Sequence, residues 1–221
     1  MSNRGASIGG DAPGDQSGEG DSTSTAPLFD KSRWWVEPVS LDIARNLVIQ
    51  HHYARGASNT AVYCHGLVPR GSVWSHEVAG VAWWLPPTRS AAESWVQRVG
   101  AEVEWKQVLS LSRLVVRPEV PANACSFLIR HSMRLVDRKL WPLLVTYADG
   151  WRGHAGVIYR AAGWVEAGET EPEPCYVRAG RMVARKAGPR TRTHAEMLAL
   201  GCEFVGKFPK KRFYHLFGVT P

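Results

Sequence analysis

Apolar residues recur along the chain with two periods, and the switches between them mark the elements. Leu28 to Pro38 leads into a core, with Trp34 and Trp35 as packing anchors. Ile43, Leu47 and Val48 then fall on one helical face behind Ser40, a suitable cap. The predicted helix ends near His51, His52 and Tyr53. Ala61–Val68 and Ser72–Leu85 read as an antiparallel pair joined across Pro69 and Gly71, and Pro86-Pro87 closes the second strand. A polar helix follows over Ala91–Val99. Val108–Val116 (VLSLSRLVV) reads as a strand, with Leu109, Leu111 and Arg113 on one face and Val108, Ser110 and Ser112 on the other.

The second half repeats the alternation of strands and helices. After a proline-marked loop over Arg117–Ala122, Asn123 caps a long predicted helix to about Leu140, with Cys125, Leu128, Ile129, Leu135 and Val136 at helical spacing. Leu143, Leu144, Val145 and Tyr147 form a buried strand that Asp149 and Gly150 stop. Gly153–Gly163 has room for about three helical turns and carries Tyr159. Trp164–Ala167 and Cys175–Val183 read as strands, Thr193–Cys202 as a helix, and Lys210–Phe217 as a basic-aromatic strand. This order predicts an α/β fold, one domain with a mixed central sheet flanked by helices. Open α/β sheets hold ligands beyond the C-terminal ends of their strands. Asp149 and Tyr159 are therefore predicted to aim a carboxylate and a phenol at one cleft.

Composition divides the chain. Residues 1–27 are rich in Gly, Ser, Asp and Thr, and lack the apolar surface needed to fold, so they read as a disordered tail before a domain over residues 28–221. The whole chain carries +7. Arg4 against Asp11, Asp15, Glu19 and Asp21 leaves the tail at −3 and the domain at +10, which favours a polyanionic partner. The four cysteines contain no CxxC pair, so neither a zinc site nor a disulfide framework is indicated, and a reducing cytoplasm fits. No apolar run reaches the roughly 18 residues of a transmembrane helix, and none resembles a signal peptide, so no membrane partner is expected. The oligomeric state stays open.

Each candidate residue has a functional and a structural reading. Asp149 suits proton transfer or metal binding, or caps the turn after its strand. Tyr159 is a reactive phenol or a satisfied buried one. His154 orients the Asp149 carboxylate or is merely partly exposed. His51 and His52 end a helix, where a cation is favoured in any case. Arg113, placed among leucines, needs a partner: a substrate phosphate, or an acid such as Glu104. Lys210, Lys211 and Arg212, interleaved with Phe208, Phe213 and Tyr214, can track a nucleic-acid backbone, with Arg185, Lys186, Arg190 and Arg192 adding charge. Trp151 and one of Trp83 or Trp84 can stack on a base.

The strand, loop, helix, strand, helix unit from Val108 to Gly163 resembles the core of the GNAT acyltransferase superfamily, and YRAAGW (Tyr159–Trp164) is similar to its Tyr-x-x-x-Gly-aromatic helix. That likeness implies an acyl-CoA cofactor, such as acetyl-CoA, with its pyrophosphate at a helix N-terminus near Arg113, Asn123 and Ser126. Pro118–Ala124 replaces the glycine-rich phosphate loop, and proline removes donors. LSRLVV, Pro121 with Asn123 and Ser126, TYAD, GHAGVIYRAAGW and KKRFY together resemble the Mom family of phage DNA-modification proteins. This resemblance implies conversion of adenine N6 in double-stranded DNA to a carbamoylmethyl form, in the host cytoplasm, protecting phage DNA from restriction. It also implies an iron ion on Tyr53, Asp149 and Tyr159, with His52 as an alternative ligand. The alternative is an acyl-CoA-dependent N-acetyltransferase acting on a protein or small amine.

Overall fold

The computed structural model describes residues 29–53, 56, 58–71, 77–188 and 190–218; the expected tail over residues 1–27 lies outside them. In chain order the first half forms β1 (Trp34–Pro38), α1 (Leu41–His51), β2 (Tyr63–Pro69), β3 (Gly80–Leu85), α2 (Arg89–Val99), β4 (Val108–Val116) and α3 (Ala124–Leu135). The second half forms β5 (Leu143–Asp149), α4 (Val157–Ala161), β6 (Val165–Glu169), β7 (Glu173–Arg178), β8 (Arg181–Met182), β9 (Lys186–Ala187), β10 (Arg190–Thr191), α5 (His194–Ala199), β11 (Glu203–Phe208) and β12 (Lys210–Leu216). The main sheet runs β1-β2-β3-β4-β5-β12-β6, and β4–β5 is its one parallel pair. Two small sheets, β11-β7-β8 and β10-β9, stand beside it.

Helices cover both faces of the main sheet. On one face α3 and α4 pack Leu128, Ile129 and Tyr159 against Leu109, Leu111, Leu144 and Phe213. On the other, α1 packs Leu47 and Val48 against Val81 and Trp83, and α2 packs Trp95 against Val108, Leu143 and Val145. A central strand covered on both sides needs apolar residues at every position, and β3, GVAWWL, supplies them. Trp83 and Trp84 point to opposite faces, and both are fully buried. Neither is free to stack on a base, which corrects that expectation. Their indoles instead donate to Thr60 O at 3.3 Å and to Ser132 Oγ at 2.7 Å. Ser132 Oγ also lies 2.7 Å from His65 Nδ1, forming a buried polar network between β2, β3 and α3.

Several predicted boundaries shift for identifiable reasons. The register of β3 against β4 slips between Trp83 and Trp84, so Trp83 faces Arg113 and Trp84 faces Leu111. One extra residue in β4 inverts the strand's alternation. Arg113 therefore turns to the α1 face, away from Leu109 and Leu111, contrary to the strict two-residue period. The helix expected to reach Leu140 stops at Leu135. The three turns expected over Gly153–Gly163 shrink to Val157–Ala161, because Gly156 at φ +76° starts the helix late. A Cβ on Gly156 would also overlap the Phe213 ring. Described strand structure after the first hairpin begins at Gly80, and Ser72 lies outside the described residues.

Candidate active site

A gap opens within the main sheet. β4 and β5 pair only from Val108–Leu143 to Ser110–Val145. Past that point β4 follows β3 to Val116, β5 follows β12 to Asp149, and the two strands part. A cavity of about 630 Å³ occupies the gap. Ser110, Ser112 and Arg113 form one wall, and Tyr147 and Asp149 the other. Cys175 on β7 and the segment from Met182 to Lys186 close it from the small sheets. The period of β5 sets what faces it. Val145, Tyr147 and Asp149 share the α1–α2 side, whereas Thr146 and Ala148 share the α3–α4 side.

Asp149 ends β5 with only 8% of its surface exposed. Its Oδ1 accepts the Trp151 N–H at 3.1 Å, and its Oδ2 accepts the Tyr53 hydroxyl at 3.0 Å. Oδ1 thus caps the turn after the strand, and Oδ2 is taken by the Tyr53 hydroxyl. Gly150 is required next, because the Pro209 carbonyl occupies the space a Cβ would need. Burial and the Asp149 charge push the Tyr53 phenol well above its ordinary pKa. The Tyr53 ring stacks on His52 at 4.4 Å between centroids. The Arg152 guanidinium lies 4.9 Å from the Tyr53 centroid and 4.2 Å from that of Trp151. His154 is exposed and meets Tyr53 edge-on at 6.0 Å, and only its backbone N–H bonds to the Asp149 carbonyl.

The other predicted residues are dispersed. Arg113 reaches the cavity, and its Nε donates to Gly56 O at 3.0 Å and its Nη1 to Ser112 O at 2.8 Å. Backbone carbonyls, not Glu104, take up its guanidinium. Burial, then repulsion from Arg113, His154 and Arg152, brings His52 down to about 4, so its imidazole is neutral at pH 7. Tyr159 lies on the opposite sheet face, against Trp164 and Phe213, with its hydroxyl bonded to Thr146. Burial raises its pKa, while the Thr146 bond opposes this. It does not line the cavity. Asn123 and Ser126 stand at the start of α3, outside the cavity wall, and Ser126 Oγ donates to the Asn123 carbonyl at 3.0 Å.

The C-terminal strand is less available than its composition suggests. Lys210 pairs with Glu173 at 3.1 Å and Lys211 with Glu166 at 3.4 Å, and Arg212 donates to the Glu169 carbonyl. Cys175 and Met182 line the cavity without any sequence motif to mark them, and Tyr147 of TYAD, which its period marks only as a strand residue, joins them there. The basic run near Arg185 and Lys186 also gave a signal.

The profile of the Mom protein family matches residues 33–203. The chain belongs to the Mom protein family. None of the curated proteins matches it. Among solved structures it is similar to Arabidopsis thaliana NAA60 in complex with acetyl-CoA, at 10% identity and a TM-score of 0.56, over 84% of this chain and 99% of that one. It is also similar to the same protein with a bisubstrate analogue, at 11% identity and a TM-score of 0.54, over 85% and 99% of the two chains. The fold is therefore that of the GNAT acetyltransferases. The segment matched by the Mom profile includes Tyr53, Arg113, Asp149 and Tyr159, whereas β12 with Lys210, Lys211 and Arg212 lies beyond it. Among the described residues no group of three or more His, Cys, Asp or Glu is placed to hold a metal, and no helix is long and apolar enough to cross a membrane.

Proposed function

We propose that this Mom protein is a transferase that converts adenine N6 in double-stranded DNA to its carbamoylmethyl form, protecting phage DNA from restriction in the host cell. The observation that carries the reading is the Asp149–Tyr53 pair, 3.0 Å apart at one wall of the cavity, in a chain matched by the Mom family over residues 33–203. A cavity of about 630 Å³ falls within the roughly 300–1,000 Å³ typical of ligand pockets, so a flipped base and a donor group fit together. Arg113, Arg185 and Lys186 on its wall exceed the free acids, since Glu173 is taken up by Lys210. That balance suits a nucleotide phosphate.

Adenine N6 is a weak nucleophile, because its lone pair is delocalised into the ring. A base must remove its proton as the new N–C bond forms and the bond between the donor's methylene carbon and its leaving group breaks, the electron pair departing with that leaving group. Asp149 is the acceptor: the Tyr53 hydroxyl, donating to Oδ2 at 3.0 Å, and the Trp151 N–H, donating to Oδ1 at 3.1 Å, hold the carboxylate in place to take the proton on a remaining lone pair. Trp151, half-buried beside Asp149, is not on the cavity wall, and the Arg152 guanidinium lies over its ring at 4.2 Å, so it is not placed to stack on a base inside the cavity.

The residues present fit the implied iron only in part. The Asp149 carboxylate and the Tyr53 phenol are hard oxygen donors 3.0 Å apart, and neutral His52 stacks beside Tyr53. These three would hold the ion, whereas Tyr159, on the far sheet face with its hydroxyl bonded to Thr146, is not placed to join them. Burial and the Asp149 charge raise the Tyr53 pKa, so a bound cation would have to displace its proton. When bound, it would supply Lewis acidity.

The test is nucleoside mass spectrometry of DNA from cells expressing the protein. The expected result is modified adenine with the wild type and none with a folded Asp149→Asn variant. Unmodified DNA from a folded, iron-replete wild type would overturn the reading. A second reading, an acyl-CoA-dependent N-acetyltransferase acting on a protein or small amine, draws support from the likeness in fold to Arabidopsis thaliana NAA60 in complex with acetyl-CoA. It predicts tight CoA binding without DNA, and calorimetry that detects none would exclude it.

A further inference from the structure

We infer that the DNA backbone docks on the hairpins β7–β8 and β9–β10, with the phosphates flanking the target base against Arg178, Arg181 and Lys186. The inference rests on the DNA-modifying reading above and concerns where the duplex lies. Residues 174–195 hold six cations, Arg178, Arg181, Arg185, Lys186, Arg190 and Arg192, and no Asp or Glu. Their roles separate in the structure. Arg190 pairs with Glu196 at 2.7 Å. Arg185 Nε donates to the Arg192 carbonyl at 3.0 Å, and Arg192 Nη1 to the Ala184 carbonyl at 3.4 Å, so these two tie the base of the β9–β10 hairpin together. Arg178, Arg181 and Lys186 are exposed, and none forms a salt bridge with a carboxylate among the described residues.

The backbone holds two of these charges together. Arg178 pairs directly with Arg181 across the β7–β8 hairpin, whose turn residues Ala179 and Gly180 have φ of +48° and +71°. Like charges opposite one another on a ladder cost stability. A polyanion lying across them reverses the sign of that contribution. The surface also leads into the reaction chamber, because Met182, Val183, Arg185, Lys186 and Thr191 line the cavity that holds Asp149. A strand held by its phosphates on this face has its bases at the cavity mouth. On β12 the cations are instead engaged, Lys210 by Glu173 and Lys211 by Glu166, and Glu166 also binds Arg160 at 2.6 Å. Those contacts leave little charge for phosphate, so the duplex surface moves from the C-terminal strand to the small sheets.

The experiment follows binding of the full-length protein to a short fluorescent duplex by anisotropy across a salt series. The variants are Arg178→Ala/Arg181→Ala/Lys186→Ala, the charge-keeping Arg178→Lys/Arg181→Lys/Lys186→Arg, and Lys211→Ala. Loss of three phosphate contacts lowers the slope of log K against log salt by about 2.7 and weakens binding roughly 100-fold at ~0.15 M salt. The triple alanine variant is expected to show both changes. The charge-keeping variant retains the wild-type slope, and Lys211→Ala stays within about twofold of wild-type affinity. An unchanged slope in the triple alanine variant overturns the inference, as does an equal loss in the charge-keeping one. If the triple alanine variant binds normally while the wild type modifies adenine, only the docking surface is wrong. If the wild type neither binds the duplex nor modifies it, the functional reading fails and the docking surface with it.

Discussion

His65 makes the fold acid-sensitive over a definable range. It lies on β2, 1% exposed, with Nδ1 2.7 Å from Ser132 Oγ, which also accepts the Trp84 indole N–H at 2.7 Å. Burial brings its pKa down from 6.5 to about 4. A depressed folded-state value means that the unfolded chain takes up the proton first. Stability is therefore complete above pH 6.5 and is lost as the pH falls toward 4. At ~1.4 kcal/mol per unit, the histidine removes about 2 kcal/mol by pH 5 and about 3 kcal/mol by pH 4. His52, also brought down to about 4, acts in the same direction, so a difference measurement is needed. Urea unfolding of wild type and His65→Gln at several pH values from 7 to 4 supplies it. The glutamine carbonyl can accept from Ser132 and does not titrate. The two stability curves should converge by about 2–3 kcal/mol on acidification. Parallel curves would refute the argument, because they would mean that the network accommodates an imidazolium.

Four further outcomes follow from the site and its supports. Asp149→Asn should slow adenine modification by roughly 10²–10⁴-fold, and Tyr53→Phe by roughly 10- to 100-fold through a lost bond to a carboxylate, both read as initial rates by nucleoside mass spectrometry with circular dichroism as the folding control. Gly156→Ala should destabilise by about 2–4 kcal/mol in urea melts, since it combines a left-handed backbone with overlap on Phe213; a loss under ~1 kcal/mol would show that the α4 turn can relax. Chelation of iron should abolish modification and restore the phenol absorption changes of an apo protein, both reversed by added iron; full activity in chelator would remove the metal from the proposal.

Local pattern determined much of this protein. The two-residue period placed β4, β5 and β12, and Ser40 marked the start of α1, where its Oγ accepts the Ile43 N–H at 3.3 Å. The strand-to-turn step at Asp149 was legible because a strand ending in Asp-Gly has few other uses, and a family resemblance brought Tyr53 and Tyr159 to notice. What local pattern could not carry was parity and partnership. One extra residue in β4 turned Arg113 to the other face, and that bulge exists only because β3 pairs alongside it. The contact between Tyr53 and Asp149 joins residues 96 positions apart, and the sheet separates Asp149 from Tyr159, which lies on its far face. The basic run ending in Lys210, Lys211 and Arg212 looked like the nucleic-acid face because sequence lists charges without their counterions. Tertiary pairing of β12 with β5 and β6 brought Glu166 and Glu173 against those lysines, whereas Arg178, Arg181 and Lys186 are exposed with no carboxylate salt bridge among the described residues. Periodicity is a property of neighbours along the chain, but the sign of a surface is set by neighbours across it.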